Sequence, residues 1–270
     1  MLLAPLVAVS LKKSIQILQQ YNEEEKKMIE EQIVTFRKNV KDAKASAGST
    51  DMKVVDSALK KLLINAKDLV TEECIGKGAF GEVFKASYRG STVAVKTMKT
   101  VDISDLDRFR EEILLMADLH HPNIVTMVGA CWEQDLMALI MEYCEKGTAT
   151  DVLKENGVDF TWDDPLYKWV LDTSRAVGYL ESVAYFDVKS GTSVNGIIHR
   201  DLKPDNCLVT KTFSLKVADF GESRALMADE TMTQVGTPLY IAPEIVMGEH
   251  YNSKCDIYSF AITTLSFALR

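Results

Sequence analysis

Apolar and polar positions fall into three successive textures along the chain. From Leu11 to Ala45 the residues are rich in Gln, Glu, Lys, Leu and Ile, with no Gly or Pro. Ile29, Ile33, Phe36, Val40 and Ala43 recur there at steps of 4, 3, 4 and 3, which is one face of an amphipathic helix. The same steps admit a coiled coil, although Asn22 and Glu25 interrupt its seam. "SAGSTD" (Ser46 to Asp51) then reads as a linker. After Leu69 the texture becomes short and β-rich: "LVTEECIG", "EVFKASYRG" and "TVAVKTM" predict three consecutive antiparallel strands with tight connections. A helix over 105–119 follows, then two strand-like runs, "NIVTMVGACW" and "LMALIMEYC". Beyond Gly147 the pattern turns helical, with a long periodic stretch over 165–183 and another apolar helix starting near Asp256. A β-rich lobe followed by an α-rich lobe is an α+β architecture with a cleft between the lobes.

Composition narrows the function classes. With 47% hydrophobic and 26% charged residues over 270 positions, the chain is an ordinary globular protein of one or two domains. Its net charge of −8 divides into +3 over residues 1–68 and −11 over residues 69–270. An acidic body argues against nucleic acid as a partner. The five cysteines are odd in number, widely spaced and include no C-x-x-C pair, so neither a disulfide framework nor a zinc site is indicated. A cytoplasmic location is the expectation. The opening run "MLLAPLVAVSL" is followed by Lys12 and Lys13. It is shorter than the ~20 residues a membrane helix needs and has no basic stretch before it. It reads as a helix start packed on its own protein. The other reading is the inner end of a longer membrane helix, which would put the chain on the cytosolic face of a membrane.

Three constellations carry candidate chemistry. "GKGAFGEV" lies between two predicted strands, and Gly76, Gly78 and Gly81 let a backbone approach phosphate oxygens. A plain hairpin turn explains the same glycines, whereas a dinucleotide site is excluded because a strand, not a helix, follows them. "VAVK" ends at Lys96, 15 residues after Gly81 on the third strand. Lys96 either points to solvent or is buried against a carboxylate. Glu112 and Glu111 compete for that place, and Glu112 is preferred because it stands nine residues before His121 of "HHPNIV". In "HRDLKPDN", Asp201 suits a proton acceptor, Lys203 can neutralise a transferring phosphoryl group, and Asn206 offers an amide oxygen to Mg²⁺. "DFG" follows 13 residues after Asn206 and supplies the harder ligand Asp219.

Taken in order and at these spacings, the motifs make the chain resemble eukaryotic protein kinases of the serine/threonine type over about Asn65 to Arg270. "VGACWE" and "DFGESR" are most similar to the tyrosine-kinase-like group. The resemblance implies a bilobal domain over 66–270 preceded by a helical tail over 1–50. It implies ATP and Mg²⁺ as cofactors and a protein carrying Ser or Thr as substrate. Asp201 is then the catalytic base, with Lys203, Lys96 and Glu112 completing the catalytic set, and Asn206 and Asp219 hold Mg²⁺. The nucleotide would lie against Gly76, Lys77, Gly78, Gly81, Val83, Ala94, Lys96 and Leu208. Met141 stands as gatekeeper, with Glu142 and Cys144 presenting backbone groups to adenine. "GTPLYIAPE" resembles the peptide-positioning end of an activation segment. Met116, Met127, His199 and Phe220 match the family's stacked spine, and ordinary core packing is compatible with that role.

Further expectations follow from the same resemblance. Arg200 beside the base asks for an anion, which phosphorylated Thr231, Thr233 or Ser223 would supply, while Thr237 is expected to contact the catalytic loop itself. "ESVAYFDVKSGTSVNG" is longer than the family's usual link; polar and glycine-containing, it reads as a surface loop, with a docking site as the other reading. The family continues past the Asp256 helix with an Arg that pairs with its A-P-E glutamate, here Glu244. With the sequence ending at Arg270, Ile257, Phe260, Ile262, Leu265 and Phe267 are expected to meet solvent in some combination. Through the tail, membrane association or self-association is a further expectation.

Overall fold

The computed structural model describes residue 60 and residues 62–78, 81–98, 103–133, 136–155, 160–187, 192–225 and 236–269. The apolar run, the amphipathic stretch and the linker before Lys60 lie outside the described residues, as do Thr231 and Thr233. No described helix is long and apolar enough to cross a membrane.

One compact unit spans Leu62–Arg270. Its first half is a five-stranded sheet of β1 (Leu69–Lys77), β2 (Glu82–Tyr88), β3 (Ser91–Thr97), β4 (Met127–Glu133) and β5 (Leu136–Glu142), ordered β1-β2-β3-β5-β4 with every neighbour antiparallel. Between β2 and β3 the chain turns at Arg89 and Gly90, with φ of 48° and 89°. Two positive φ values give the turn the twist that a two-residue hairpin needs. Strand alternation then separates two faces. Ala86, Val93, Val95, Ala138 and Ile140 join Ile64 and Cys131 in a core on one face. Val83, Ala94 and Lys96 look the other way, into a cavity. Helix α1 (Ile103–Asp118) crosses between β3 and β4 and buries Phe109, Ile113, Leu115 and Met116.

Residues before β1 close the free edge of β4. Leu63 pairs in parallel with Ala130. Ile64 N–H donates to the Ala130 carbonyl at 2.8 Å, and Ala130 N–H donates to that of Leu62 at 2.9 Å. Gly129 is required at this crossing, because a Cβ there would stand 2.6 Å from Ile64 Cδ1 and 2.7 Å from the Leu62 carbonyl oxygen.

The second half is built on α2 (Ala149–Lys154), α3 (Leu166–Ser182), α4 (Pro243–Val246) and α5 (Lys254–Leu269). Leu166, Trp169, Thr173, Ala176, Val177 and Leu180 form the buried stripe of α3 at helical spacing. Short antiparallel pairs carry the loops between the helices: β6 (Ala184–Asp187) with β7 (Thr192–Asn195), β8 (Ile197–Ile198) with β11 (Arg224–Ala225), and β9 (Cys207–Val209) with β10 (Leu215–Val217). The expected surface segment is ordered as the β6–β7 pair, with Ala184, Ser193 and Asn195 exposed. Tyr185 on one arm stands opposite the β-branched Val194 on the other, a pairing that favours a ladder where the polar, glycine-containing composition suggested irregular chain.

On helix α5 the expected exposure falls on some of the named residues and not on others. Ile257 and Leu265 are about half exposed. Phe267 is fully buried, however, with its ring edge-on to Trp169 at 5.6 Å. The buried stripe of α5 is Cys255, Asp256, Ser259, Thr263 and Phe267. It is largely polar because it faces loop backbone that must be hydrogen-bonded: Ser259 Oγ donates to the Tyr240 carbonyl at 2.7 Å.

Candidate active site

The cleft holds two charged clusters. In the first, β3 alternation delivers Lys96 and α1 delivers Glu112, with Lys96 Nζ donating to Glu112 Oε1 at 2.8 Å and to Asp219 Oδ1 at 2.8 Å. Glu112 is therefore the partner, and Glu111 stands outside the pair. Burial opposes the charge on Lys96, but Glu112 and then Asp219 outweigh it and hold the amine above its ordinary pKa. Burial likewise works against the Asp219 carboxylate, and Lys96 brings it below the usual range. Gly221 lies open beside the cluster: a Cβ there would fall 3.6 Å from Asp219 Oδ1 and 3.8 Å from Lys96 Nζ.

The second cluster grows from the end of β8. Asp256 of α5 accepts from two successive amides, His199 N–H at 2.7 Å and Arg200 N–H at 2.9 Å, and so fixes where the loop leaves the strand. Arg200 has φ of 70° and Asp219 of 64°. Left-handed backbone at a non-glycine residue costs about 1–3 kcal/mol and persists only where the surroundings over-determine it. His199 Nε2 is 3.0 Å from the Ala218 carbonyl, which accepts only, while Nδ1 receives the Asp201 N–H at 3.3 Å. These partners select the tautomer with its proton on Nε2. Asp201 itself is held by three side chains. Lys203 Nζ donates to Oδ2 at 2.7 Å, Asn206 Nδ2 donates to Oδ2 at 2.9 Å, and Thr237 Oγ1 donates to Oδ1 at 2.8 Å. Lys203 also donates to Thr237 Oγ1 at 2.6 Å, which closes a triangle around the carboxylate.

Between the clusters lies a cavity of about 270 Å³. Gly76, Gly78, Gly81, Val83, Ala94, Lys96, Glu112, Met141, Glu142, Cys144, Asn206, Leu208 and Asp219, all anticipated from the sequence, line it. Lys77 does not. Its side chain is 74% exposed and ion-paired with Glu82 at 3.0 Å across the hairpin, because alternation turns it away from its lining neighbours Gly76 and Gly78. The glycines also divide their work. A Cβ on Gly81 would stand 1.7 Å from the Thr97 carbonyl oxygen, so this glycine is demanded by β3 beneath it, whatever else binds above. At the end of β5, Glu142 Oε1 accepts from Thr126 N–H at 2.7 Å and Lys216 Nζ at 2.8 Å. Its carboxylate is thereby engaged with the protein. Burial, with Glu142 adding to it, pushes the Cys144 thiol up to about 12, which makes it a packed thiol and not a nucleophile.

Several lining residues carried no signal of their own in the sequence: Ile75, Val125, Thr148, Asp151, Asp205 and Ala218. Asp205 was the nearest to legible, since it sits inside "HRDLKPDN". Met116, Met127, His199 and Phe220 are all buried, and the His199 and Phe220 rings meet edge-on at 4.9 Å. Ser223 is corrected as a modification site: it is 2% exposed and its hydroxyl donates to the His199 carbonyl at 3.2 Å. Thr237 contacts the loop as expected. Arg200, expected to await an anion, donates from Nε to the Glu222 carbonyl and from Nη1 to Tyr251 Oη at 3.2 Å.

Comparison with known proteins agrees with this geometry. A family model described as protein kinase domain matches residues 69–270. A putative serine/threonine-protein kinase/receptor of Acanthamoeba polyphaga mimivirus is 34% identical over 223 residues, covering 82% of this chain and 13% of the relative. The probable serine/threonine-protein kinase drkA of Dictyostelium discoideum is 36% identical over 198 residues, covering 73% of this chain and 29% of the relative. The chain thus spans less than a third of the length of either relative.

Proposed function

Because the chain belongs to the protein kinase family, we propose that its cleft transfers the γ-phosphoryl group of ATP to serine or threonine hydroxyls of a protein substrate. The observation that carries this reading is the aim of Asp201. Lys203, Asn206 and Thr237 hold its carboxylate, and Asn206 also lines the cavity into which the Lys96–Glu112 pair faces. As the substrate hydroxyl oxygen bonds to the γ-phosphorus and the bond to the ADP oxygen breaks, Asp201 takes the hydroxyl proton. Lys203 offsets charge on the transferring group, and Lys96, kept cationic by Glu112, meets the phosphates that stay behind.

The donor atoms suit Mg²⁺. Asn206 spends its amide nitrogen on the Asp201 carbonyl and carboxylate, at 2.8 and 2.9 Å. That leaves the amide oxygen for a ligand, beside the Asp219 carboxylate. Hard oxygens in this small number fit an ion that completes its shell with phosphates and water, and such an ion would screen the charge between them. Among the described residues no group of three or more His, Cys, Asp or Glu forms a metal site of its own. "VGACWE" and "DFGESR" support membership of the tyrosine-kinase-like group.

The purified chain, incubated with labelled ATP, Mg²⁺ and a Ser/Thr peptide library, should label peptides, and Asp201→Asn should not. Equal labelling by both, or nucleotide binding with no transfer by the parent, would refute the reading.

A further inference from the structure

Arg200 is one of the residues through which the second cluster is joined to the rest of the lobe. Its N–H is held by Asp256 at 2.9 Å, and its backbone is left-handed. Its carbonyl oxygen lies so near Gly236 that a Cβ there would stand 2.7 Å from it. Only 5% of the residue is exposed, and a guanidinium taken out of water needs acceptors. Two are in place among the described residues, and both are neutral oxygens: the Glu222 carbonyl and the Tyr251 hydroxyl.

These two acceptors come from different places. Glu222 follows Asp219 by three residues, so the first bond ties Arg200 to the segment bearing a proposed metal ligand. Tyr251 comes from the loop between α4 and α5, and its ring packs against the cluster of Ile198, Ala242, Ile245 and Cys255. That cluster includes the last residue of β8, from which the catalytic loop springs. The hydroxyl is therefore anchored to the same core as the loop it steadies.

We propose that Tyr251 is a positioning residue for phosphoryl transfer: by accepting from Arg200 Nη1 it holds the guanidinium against the Glu222 carbonyl, and so fixes the backbone that aims Asp201. Tyr251 touches neither the nucleotide cavity nor the acceptor hydroxyl. Its effect reaches the reaction through Arg200, in a geometry where small displacements of a reacting group are costly. The proposal rests on the kinase reading given above.

Tyr251→Phe in the full chain keeps the ring in its cluster and removes only the hydroxyl. The expected result is a fall in kcat of about tenfold with KM for ATP unchanged, and a Tm lower by a few degrees because a buried Arg200 donor loses its acceptor. Faster amide exchange over residues 199–203, with none over α3, should accompany it. Unchanged kcat, or a loss that comes with a rising KM for ATP, would overturn the proposal. Amide exchange needs no turnover. If the parent chain transfers no phosphate, the kinase reading fails by itself, and exchange over 199–203 still decides for Tyr251 if it quickens or against it if it does not.

Discussion

The two charged clusters of the cleft are assembled in opposite ways. Lys96, Glu112 and Asp219 come from β3, α1 and the segment after β10, and their contacts span 16 and 123 residues of sequence. Asp201, Lys203 and Asn206 lie within six consecutive residues, with Thr237 as the distant member. The first cluster is a statement about how two lobes meet, since any rotation of α1 or shift of the sheet breaks it. The second is a loop that largely makes its own site once Asp256 has fixed where it starts. Long-range charge pairs suit a group that must be present or absent as a unit, and local ones suit a group that must keep its aim.

The largest expected effect separates the clusters by function. Asp201→Asn should lower kcat by about 10²–10⁴-fold while Mg-ATP affinity, read by calorimetry, stays near that of the parent. Asp219→Ala should weaken Mg-ATP binding in the same assay. If both variants lose affinity equally, the division between a proton-handling and a phosphate-holding cluster is wrong.

A second expectation concerns stability. Lys96→Met leaves Glu112, whose side chain is 5% exposed, buried without its cation, a change that typically costs about 3–5 kcal/mol. Thermal melts should show the loss, and Lys96→Met combined with Glu112→Leu should recover most of it without restoring transfer. Recovery of transfer by the double variant would dissolve the distinction between the clusters.

Gly81→Ala should act more mildly, by forcing the β1–β2 hairpin away from Thr97. Overpacking of this kind costs about 1–3 kcal/mol, and here it should appear chiefly as weaker nucleotide binding, with Asp201 unaffected. A kcat loss at saturating ATP would argue that the hairpin and the second cluster are coupled.

The smallest effect belongs to the joint between α1 and α3, where the His121 ring stacks on Tyr179 at 5.1 Å. Burial first, then Lys216 and Arg175, lower the His121 pKa from its ordinary 6.5. The folded protein thus favours the neutral ring. The stability this contributes is full above about 6.5 and is lost as pH falls through the depressed folded value. Melts between pH 7.5 and 5 should steepen for the parent relative to His121→Gln. An identical slope would remove His121 from the account.

Much of this protein was legible because strand alternation and motif spacing are local properties. The three-strand meander, α1, α3 and α5, and the order Gly81, Lys96, Glu112, Asp201, Asn206, Asp219 all follow from them. That the Lys77 side chain turns away from the cavity was not legible in its motif, which does not say which side chains face inward, whereas strand alternation does. The β6–β7 hairpin was missed because a polar, glycine-containing run of that length is compatible with both a loop and a ladder until cross-strand partners are known.

What the sequence by itself determined is therefore the set of chemical groups and the elements that bear them. The tertiary structure alone decided the meetings no motif announced: Asp219 on Lys96, Tyr251 on Arg200, and Phe267 inward beneath Trp169. Each of these depends on the rotation of a helix or the path of a loop packed against something far away in the chain, and such choices are settled by burial and by hydrogen bonds that must be completed, which no local pattern encodes.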